Sequence, residues 1–378
     1  MKIAVNTRLL LANKLEGIGW FTYEALKRIT QRHSEHQFLF IFDRNYSEEF
    51  IFSNNIIPIV AGPQARHPFL YYWWFEKVIP EILKKHKADY FLSTDGFLSL
   101  STDVPSIDVI HDINFLHHPK DLPFLTSKFY NKYFPKYAKK AKRLATVSEY
   151  SKADIIKNYN IPPEKIDVVY NGVNEIFKPL EENEISAVKE KYTQGKDYFY
   201  FVGALHPRKN ICRMLQAFDE FKKSTGADKK MVIVGTSMFK TKPIEDTLKA
   251  MTYKDDVIFT GRLEPNELAL VAGAAFALVF VPYFEGFGIP IVEAMKCDVP
   301  VITSNVTSMP EVAGDSALLV DPFSVDSIKQ AMSTLHKIPS FRNRMISYGS
   351  LHREKFTWDT TANNLWDCME RAMGIYAL

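Results

Sequence analysis

The chain lacks the features that mark three broad classes of protein. Only three cysteines occur in 378 residues, at Cys212, Cys297 and Cys368, too few and too far apart for a disulfide framework or a cysteine-rich zinc site. No run of 18 uninterrupted apolar residues is present, so we expect no transmembrane helix. The 47 basic and 44 acidic residues give a formal net charge of +3, which gives no indication of nucleic acid as a partner.

Two short motifs are also missing. No Asp-x-Asp pair occurs, so we expect no metal site of that kind, and Gly17-Ile18-Gly19 does not extend to the full Gly-x-Gly-x-x-Gly of dinucleotide-binding proteins. The first residues, MKIAVNTRLL, lack the long apolar stretch of a signal peptide. We therefore expect a cytoplasmic protein without a metal or cofactor.

Short apolar segments alternate with helix-like segments along most of the chain, which predicts parallel sheets covered by helices. Apolar residues make up 46% of the sequence, and its length is comfortable for two domains. The predicted strands of the first half are residues 2–6, 37–42, 56–60, 90–93, 107–111, 143–148 and 166–170. Those of the second half are residues 197–202, 231–234, 257–260, 275–282 and 299–304. The polar stretch 175–195 has no strand pattern, and we place the hinge between the domains there.

Residues 283–300, YFEGFGIPIVEAMKCDVP, are the most informative stretch. They follow a predicted buried strand, form a glycine turn and continue into a helix with Pro290 in its first turn. The start of a helix offers backbone N–H groups and partial positive charge, which suit a phosphate. Glu285 lies in the turn and Glu293 in the helix, so each can face a ligand from a different element.

A second glycine turn, GALHPRKN at residues 203–210, lies between a predicted strand and a predicted helix. It carries two adjacent cations, Arg208 and Lys209, which together with a helix start suit a diphosphate. The alternative is an ordinary basic helix start, which is electrostatically unfavourable and so needs another reason to exist.

The string EGFGIPIVEAM resembles the E-x7-E motif of retaining glycosyltransferases of the GT-B fold, in particular glycosyltransferase family 4. The strings TVSEYSKADI, VVYNGVN and SNVTSMPE are similar to other stretches of that family, in the expected order. The resemblance implies two Rossmann-like, doubly wound domains, residues 1–178 and 190–356, that face a central cleft. It also implies a last helix, at about residues 358–378, that returns to the first domain. The alternative is an ordinary βαβ unit with solvated glutamates.

The resemblance also implies roles for single residues. Arg208 and Lys209 would hold the donor diphosphate, with Arg208 standing in for an arginine that the family commonly has where this chain has Ala204. Glu285 would bind sugar hydroxyls and Glu293 the ribose hydroxyls. The catalytic candidates are His111, Glu285, Arg208 and Lys209. The other donor-binding candidates are Gly17, Gly19, Gly203, Arg262, Leu263, Gly286, Phe287, Gly288 and Ile289.

His111 ends a predicted strand, where open α/β sheets place ligand groups. The resemblance puts a cleft histidine here, beside the donor sugar, although a lone histidine is more often structural. His117 and His118 follow, but their spacing from His111 fits no metal motif. Ser148 and Asn171 would border the same cleft.

Two further stretches support surface hypotheses. The aromatic run FLYYWWF, residues 69–75, predicts either a core helix or a wall that contacts acceptor or lipid. Lys128, Lys132 and Lys136 recur every four residues, as on a solvated helix face or on a site for anionic lipid headgroups or a phosphorylated acceptor.

The expected function is that of a retaining glycosyltransferase, which moves a sugar from a nucleotide-diphosphate sugar to a glycan or lipid-linked acceptor. Polysaccharide or cell-envelope synthesis, at the inner face of the plasma membrane, is the setting that the resemblance implies. Three alternatives stay open: a catalytically idle nucleotide-binding or scaffold protein on the same fold, a GT-B epimerase or phosphorylase, and a bilobed solute-binding protein.

Overall fold

The computed structural model describes residues 1–236 and 242–374, which form two compact units. Unit 1 contains residues 1–172 together with the described residues from Thr357 onward, and unit 2 contains Val173–Phe356. The chain therefore passes from one unit to the other after Gly172 and returns after Phe356. Of the predicted final helix, residues 375–378 lie outside the described part.

Unit 1 is built on a seven-stranded parallel sheet within the described residues. Its strands are Lys2–Asn6 (β1), Gln37–Phe42 (β2), Ile56–Val60 (β3), Tyr90–Ser93 (β4), Ser106–Val109 (β5), Arg143–Thr146 (β6) and Ile166–Val168 (β7). Their order is β3-β2-β1-β4-β5-β6-β7, so the strand order reverses between β1 and β4. Such a reversal is where open α/β sheets bind ligands, at the carboxyl ends of the strands.

The helices of unit 1 follow the predicted alternation. They are Gly17–Arg32 (α1), Pro68–Trp73 (α2), Ile79–His86 (α3), Asn114–His117 (α4), Phe124–Lys140 (α5), Glu149–Tyr159 (α6) and, at the end of the chain, Trp358–Met373, labelled α15 below. A π-helical turn at Trp74–Val78 joins α2 to α3, and α5 contains Pro135 in its interior. The last helix packs on α1 and β6.

Unit 2 carries a six-stranded parallel sheet in the described part of the chain. Its strands are Tyr198–Val202 (β8), Lys230–Val234 (β9), Val257–Gly261 (β10), Ala277–Phe280 (β11), Val301–Ser304 (β12) and Ala317–Val320 (β13). The order is β10-β9-β8-β11-β12-β13, with its reversal between β8 and β11. The prediction of an α/β protein with two doubly wound parallel sheets is confirmed.

The described helices of unit 2 lie before, between and after these strands. They are Glu182–Thr193 (α7), Ile211–Thr225 (α8), Lys242–Ala250 (α9), Pro265–Gly273 (α10), Ile289–Lys296 (α11), Met309–Ala313 (α12), Val325–Lys337 (α13) and Pro339–His352 (α14). Helix α7 lies within residues 175–195, the polar stretch in which the sequence analysis places the hinge. A capping box of Glu181 and Glu184 starts this helix, and α7 packs on α10.

Candidate functional site

Arg208, Lys209 and Glu285, predicted from separate stretches, come together at the carboxyl edge of the second sheet. The two cations follow β8 and the glutamate follows β11, the neighbouring strand at the reversal of strand order. The Arg208 Nη1 atom lies 2.6 Å from Glu285 Oε2, and the Lys209 Nζ atom lies 2.5 Å from the same oxygen. One carboxylate oxygen thus bridges two cations.

The three charged side chains are largely buried, but each remains partly exposed to water. The side chains of Arg208, Lys209 and Glu285 are 24%, 11% and 14% exposed. Burial alone would raise the pKa of Glu285, but the charges and hydrogen bonds of Arg208 and Lys209 lower it to about 2. The carboxylate is therefore ionised at neutral pH, and the cluster has a net charge of +1.

Hydrogen bonds of Asn210 hold the loop that carries Arg208 and Lys209 in place. Asn210 has a left-handed backbone, with φ of 63°, and is 4% exposed. Its side-chain amide donates to the carbonyls of Val281, at 3.0 Å, and Pro322, at 2.6 Å. In addition, the Tyr283 N–H donates to the Arg208 carbonyl over 3.0 Å, so the loops after β8 and β11 are joined directly.

The turn that carries Glu285 is held by two serine hydroxyls. Ser308 Oγ donates to the Glu285 carbonyl over 2.9 Å, and Ser304 Oγ donates to the Pro282 carbonyl over 2.5 Å. Gly288 caps the start of α11 with φ of 97°, and a Cβ there would lie 2.8 Å from Met309 Cε. The left-handed backbone favours glycine at position 288, whereas the nearby Met309 methyl group is the end of a flexible side chain that can shift.

The start of α11 has fewer available N–H donors than an ordinary helix start. Pro290 in the first turn has no N–H, and the Ile291 N–H donates to the Gly288 carbonyl. The predicted donor-binding residues 286–289 lie in the turn before this helix and at its first residue.

Glu293 lies in α11 and is half-buried. Burial raises the pKa of its carboxyl to about 8, so this group is protonated at neutral pH. The pKa values of the two glutamates of the motif are therefore shifted in opposite directions: that of Glu285 is lowered and that of Glu293 is raised.

The three strand ends β8, β9 and β10 are joined by glycine backbone. The Gly203 N–H donates to the Val234 carbonyl and the Gly235 N–H to the Gly261 carbonyl. A Cβ on Gly235 would lie only 2.0 Å from the Gly203 carbonyl oxygen, so no other residue fits there. Arg262, which is exposed, and Leu263, which is half-buried, follow β10 at this edge.

His111 belongs to unit 1, two residues beyond the end of β5. Its Nε2 atom lies 2.9 Å from the Thr94 carbonyl oxygen, and its ring meets the Phe21 ring edge-on at 4.9 Å between centroids. Because a carbonyl only accepts, Nε2 carries the hydrogen and Nδ1 of the neutral ring is an acceptor. Burial lowers the pKa of His111 against the opposing effects of Thr94, Asp112 and Asp95, which favours that neutral form.

The two N-terminal glycines, also in unit 1, differ in what surrounds them. Gly17 is the first residue of α1, and a Cβ there would meet nothing within 4 Å. At Gly19 a Cβ would lie 3.1 Å from the Leu9 carbonyl and 3.2 Å from a Leu15 methyl carbon, so close packing accounts for this glycine. Ser148 accepts from the Ser151 N–H as the cap of α6, and Asn171 is buried.

Two family models together match most of the chain. Residues 15–176 match the model of Glycosyltransferase Family 4, and residues 182–352 match that of Glycosyl transferases group 1. The chain belongs to glycosyltransferase family 4. The alternatives of a solute-binding protein and of an ordinary βαβ unit are thereby excluded.

Curated relatives of this family 4 glycosyltransferase carry related names. O-antigen chain mannosyltransferase B of Escherichia coli is 28% identical over 72% of this chain and 70% of its own length. O-antigen chain mannosyltransferase RfbU of Salmonella typhimurium is 31% identical over 63% of each chain. The match to serotype-specific mannosyltransferase WbdA of Escherichia coli, at 26% identity, spans 62% of this chain but only 29% of that protein.

Solved structures confirm the fold of the enzyme. Anabaena HepE, crystallised with UDP and glucose, aligns with a TM-score of 0.77 at 16% identity, over 98% of this chain and all of its own. WaaG, described as a glycosyltransferase involved in lipopolysaccharide biosynthesis, aligns with a TM-score of 0.73 at 17% identity, over the same shares. At these identities the likeness shows the GT-B fold alone.

A buried ion pair in unit 1 of the glycosyltransferase was missed by the sequence analysis. Arg8 Nε lies 2.6 Å from Asp95 Oδ2, and the guanidinium lies 4.5 Å from the centre of the Phe97 ring. Asp95 Oδ1 accepts from Asn6 Nδ2, at 2.9 Å, and from Ser93 Oγ, at 3.1 Å. Arg8 and Asp95 follow β1 and β4, the two strands at the reversal of order in the first sheet.

Two further predictions concern metal ions and membranes. Across residues 1–236 and 242–374, no group of three or more His, Cys, Asp or Glu residues is placed to hold a metal ion. His117 instead lies 2.9 Å from the carboxylate of Asp154. None of the helices in these two ranges is both long enough and apolar enough to span a membrane.

Proposed function

We propose that this glycosyltransferase moves a sugar from a nucleotide-diphosphate sugar to a glycan or lipid-linked acceptor, with retention of anomeric configuration and without a metal ion. The setting is polysaccharide or cell-envelope glycan synthesis, in peripheral contact with an anionic membrane. The observation that supports this best is the convergence of Arg208 and Lys209 on one carboxylate, beside a glycine turn, at the reversal of the second sheet.

The two cations are the proposed site of the donor diphosphate. Negative charge develops on this group as the sugar leaves, and preorganised cations in a water-poor site stabilise such charge strongly. Arg208 and Lys209 supply two positive charges from the protein itself, which is why we propose metal-independent transfer. The amides of residues 286–289 add backbone donors on the same edge.

Glu285 has two proposed roles, one without the donor and one with the donor bound. In the structure its carboxylate bridges both cations. A diphosphate that binds the same cations displaces it, and the carboxylate then accepts hydrogen bonds from hydroxyls of the transferred sugar. The pKa of about 2 belongs to the state in which Glu285 pairs with both cations, and in that state the carboxylate is ionised throughout the neutral range.

Glu293 is the proposed partner of the ribose hydroxyls. A carboxylate accepts two hydroxyl hydrogen bonds, but this carboxyl is protonated at neutral pH because of its burial. Binding of a ribose therefore favours loss of the proton, and donor binding and proton release become linked.

His111 is proposed to accept a hydrogen bond from a sugar hydroxyl through Nδ1. Its Nε2–H is committed to the Thr94 carbonyl. A neutral ring with this tautomer does not donate to a phosphate oxygen through Nδ1. The proposed role is therefore orientation of the sugar rather than stabilisation of phosphate charge.

The transferred sugar is proposed to be mannose, because the first curated relatives are named mannosyltransferases. The nucleobase is left to experiment, with Arg262, Leu263, Gly203, Gly17 and Gly19 as further donor-binding candidates. Thermal unfolding with UDP, GDP, ADP, CMP and dTDP selects the nucleotide. A ligand at about 100 times its Kd adds roughly 2.7 kcal/mol of stability.

Transfer is then measured with the selected nucleotide carrying mannose or glucose, and the anomeric configuration of the product is read by NMR. An inverted product contradicts retention, and loss of turnover with EDTA contradicts metal independence. A nucleotide that stabilises the protein without supporting any transfer, across lipid-linked and free glycan acceptors, favours the catalytically idle alternative.

A further inference from the structure

The largest exposed apolar side chains of the described part of unit 1 lie on α2 and at the start of α5. Phe124 is 74% exposed, Phe69 is 67% exposed and Leu125 is 58% exposed. Trp73 and Tyr72 are also exposed on α2. Large aromatic side chains at such exposure lose the stabilisation that burial would give, so a cluster of them indicates a surface that is covered in use.

The two helices form one continuous surface. They pack against each other, with the rings of Tyr72 and Tyr133 6.1 Å apart and those of Tyr71 and Phe129 5.8 Å apart. The buried side of this pair is also aromatic, because Tyr71 contacts Phe97 in the core. The aromatic run of α2 is therefore both a core element and a wall, two interpretations that the sequence left as alternatives.

The charge on this surface has one sign. The 17 residues of α5 include five lysines and no acidic residue, and all five lysines are exposed. Lys128 Nζ lies 5.5 Å from the centre of the Phe124 ring, and Lys132 and Lys136 flank the Tyr133 ring at 5.3 and 5.7 Å. Glu76, which follows α2, points inward and accepts from the Leu100 N–H.

We infer that these helices dock the enzyme on an anionic lipid bilayer. The α2–α5 surface is defined here as Phe69, Tyr72, Trp73, Phe124, Leu125, Lys128, Lys132 and Lys136. Its apolar members insert at the boundary of headgroups and acyl chains, and its lysines meet the lipid phosphates. This names the face for the membrane contact proposed above, but it does not depend on the transfer chemistry.

Charge and shape favour a bilayer as the occupant. A helix of 17 residues is about 25 Å long, and its lysines recur along one stripe, as suits a plane of many negative charges. Exposed aromatic rings beside lysines are typical of groups that sit at the interface, with the ring in the apolar layer and the ammonium among headgroups.

Cosedimentation with vesicles tests the inference. The protein is mixed with phosphatidylcholine vesicles that contain either no anionic lipid or a third phosphatidylglycerol, at low and at high salt. We expect binding to the anionic vesicles only, weakened by salt. Changing Lys128, Lys132 and Lys136 together to Gln should lower the partition coefficient on the order of 100-fold, since each lysine contributes about a factor of five.

A second variant, Phe124→Ser with Leu125→Ser, removes insertion and keeps the lysines. It should weaken binding roughly tenfold or more and leave its salt dependence in place. Trp73 supplies a spectroscopic readout: vesicles should shift the emission of the wild type to shorter wavelength, and this shift should be smaller in Trp73→Phe.

Matched controls come from unit 2. Lys242, Lys249 and Lys254 are exposed lysines, and Leu351 is 77% exposed. Changing those three lysines to Gln, or Leu351 to Ser, should leave vesicle binding within twofold of the wild type. Nucleotide binding should survive in every variant, which separates this test from that of the donor site.

The inference is overturned by an absence of binding to anionic vesicles at low salt, by equal binding of the wild type and the α2–α5 variants, or by an equal loss in the unit 2 controls. Salt-independent binding to neutral vesicles also contradicts it, because the lysines would then have no part.

Discussion

Each sheet has an ion pair at its reversal of strand order, and the two pairs have different surroundings. In unit 1, Arg8 follows β1 and Asp95 follows β4. In unit 2, Arg208 and Lys209 follow β8 and Glu285 follows β11, which are the corresponding strands of the second sheet. The position in the fold is the same, so the difference lies in burial and in charge balance.

The Arg8–Asp95 pair of unit 1 is closed, in the sense that both side chains are buried. Arg8 is 8% exposed, lies against the rings of Phe97 and Tyr71, and also donates to the Ala65 carbonyl. One positive charge meets one negative charge. The cluster of unit 2 has two positive charges for one carboxylate oxygen and is more exposed. Removal of one partner from a closed, neutral pair is strongly destabilising, whereas an open pair with excess charge is suited to exchange its partner for a ligand.

We expect the largest loss of stability from breaking the buried Arg8–Asp95 pair. Asp95→Asn leaves Arg8 as a buried charge without its partner, which should lower the free energy of unfolding by about 3–5 kcal/mol. Urea denaturation of the nucleotide-free protein measures this loss. Glu285→Gln should cost clearly less, because water reaches Arg208. Equal losses for both variants would show that the two pairs do not differ as described.

The second prediction concerns the open cluster. Lys209→Ala should lower kcat/KM by about 10²–10³, the usual effect of removing one preorganised group that stabilises developing charge. Lys230→Ala is the matched control, since Lys230 pairs with Asp256 in the same unit and has no proposed contact with the donor. Initial rates with the selected donor decide the question. Similar rates for both variants would remove Lys209 from the donor site.

The third prediction separates the two functions of Glu285. Glu285→Gln should lower the rate of transfer by about 100-fold, because the sugar loses an ionised acceptor. The same change should tighten the binding of the nucleotide diphosphate several-fold, because the group that competes for Arg208 and Lys209 has lost its charge. Calorimetric titration measures the affinity, and weaker binding in this variant would contradict displacement by the diphosphate.

The fourth prediction is a pH dependence due to Glu293. Its folded-state pKa of about 8 lies above the ordinary 4.5, so its contribution to stability is fully present below about pH 4.5 and is lost as the pH rises through 8. Nucleotide affinity should change in the opposite direction and rise at most about tenfold per pH unit up to pH 8.

Glu293→Gln should remove both slopes, and titration in buffers of different ionisation enthalpy should show proton release by the wild type only. An affinity that does not change between pH 6.5 and 8.5 in the wild type would contradict the linkage. Glutamine has nearly the same shape as glutamate but does not titrate, so this variant tests the charge of residue 293 and not its shape.

The two ion-pair sites also differ in how well the sequence predicts them. The open cluster was found because Arg208 and Lys209 are adjacent and lie in a strand–glycine–helix segment, which is a local pattern. The closed pair was missed because Arg8 and Asp95 are far apart in sequence. Only the parallel register of β1 and β4, in which Asn6 lies opposite Ser93, brings them together.

Strand positions were predicted well where they depend on local pattern. The bounds of β1 to β4 agree with the predicted ranges, because apolar runs flanked by polar turns determine them. The ionisation of Glu293 was not predictable, since it depends on what packs around α11. The anchoring roles of Asn210 and Ser308 were missed for a similar reason: each donates to a carbonyl of a segment distant in sequence.

The contact between Gly203 and Gly235 also has a consequence for protein engineering. A Cβ at Gly235 would collide with the Gly203 carbonyl. The backbones of the segments after β8 and β9 are therefore in direct contact. A chimera that takes only one of these segments from a relative would combine backbones that did not evolve side by side. Changes of donor preference by segment exchange should therefore transfer the two segments as a pair.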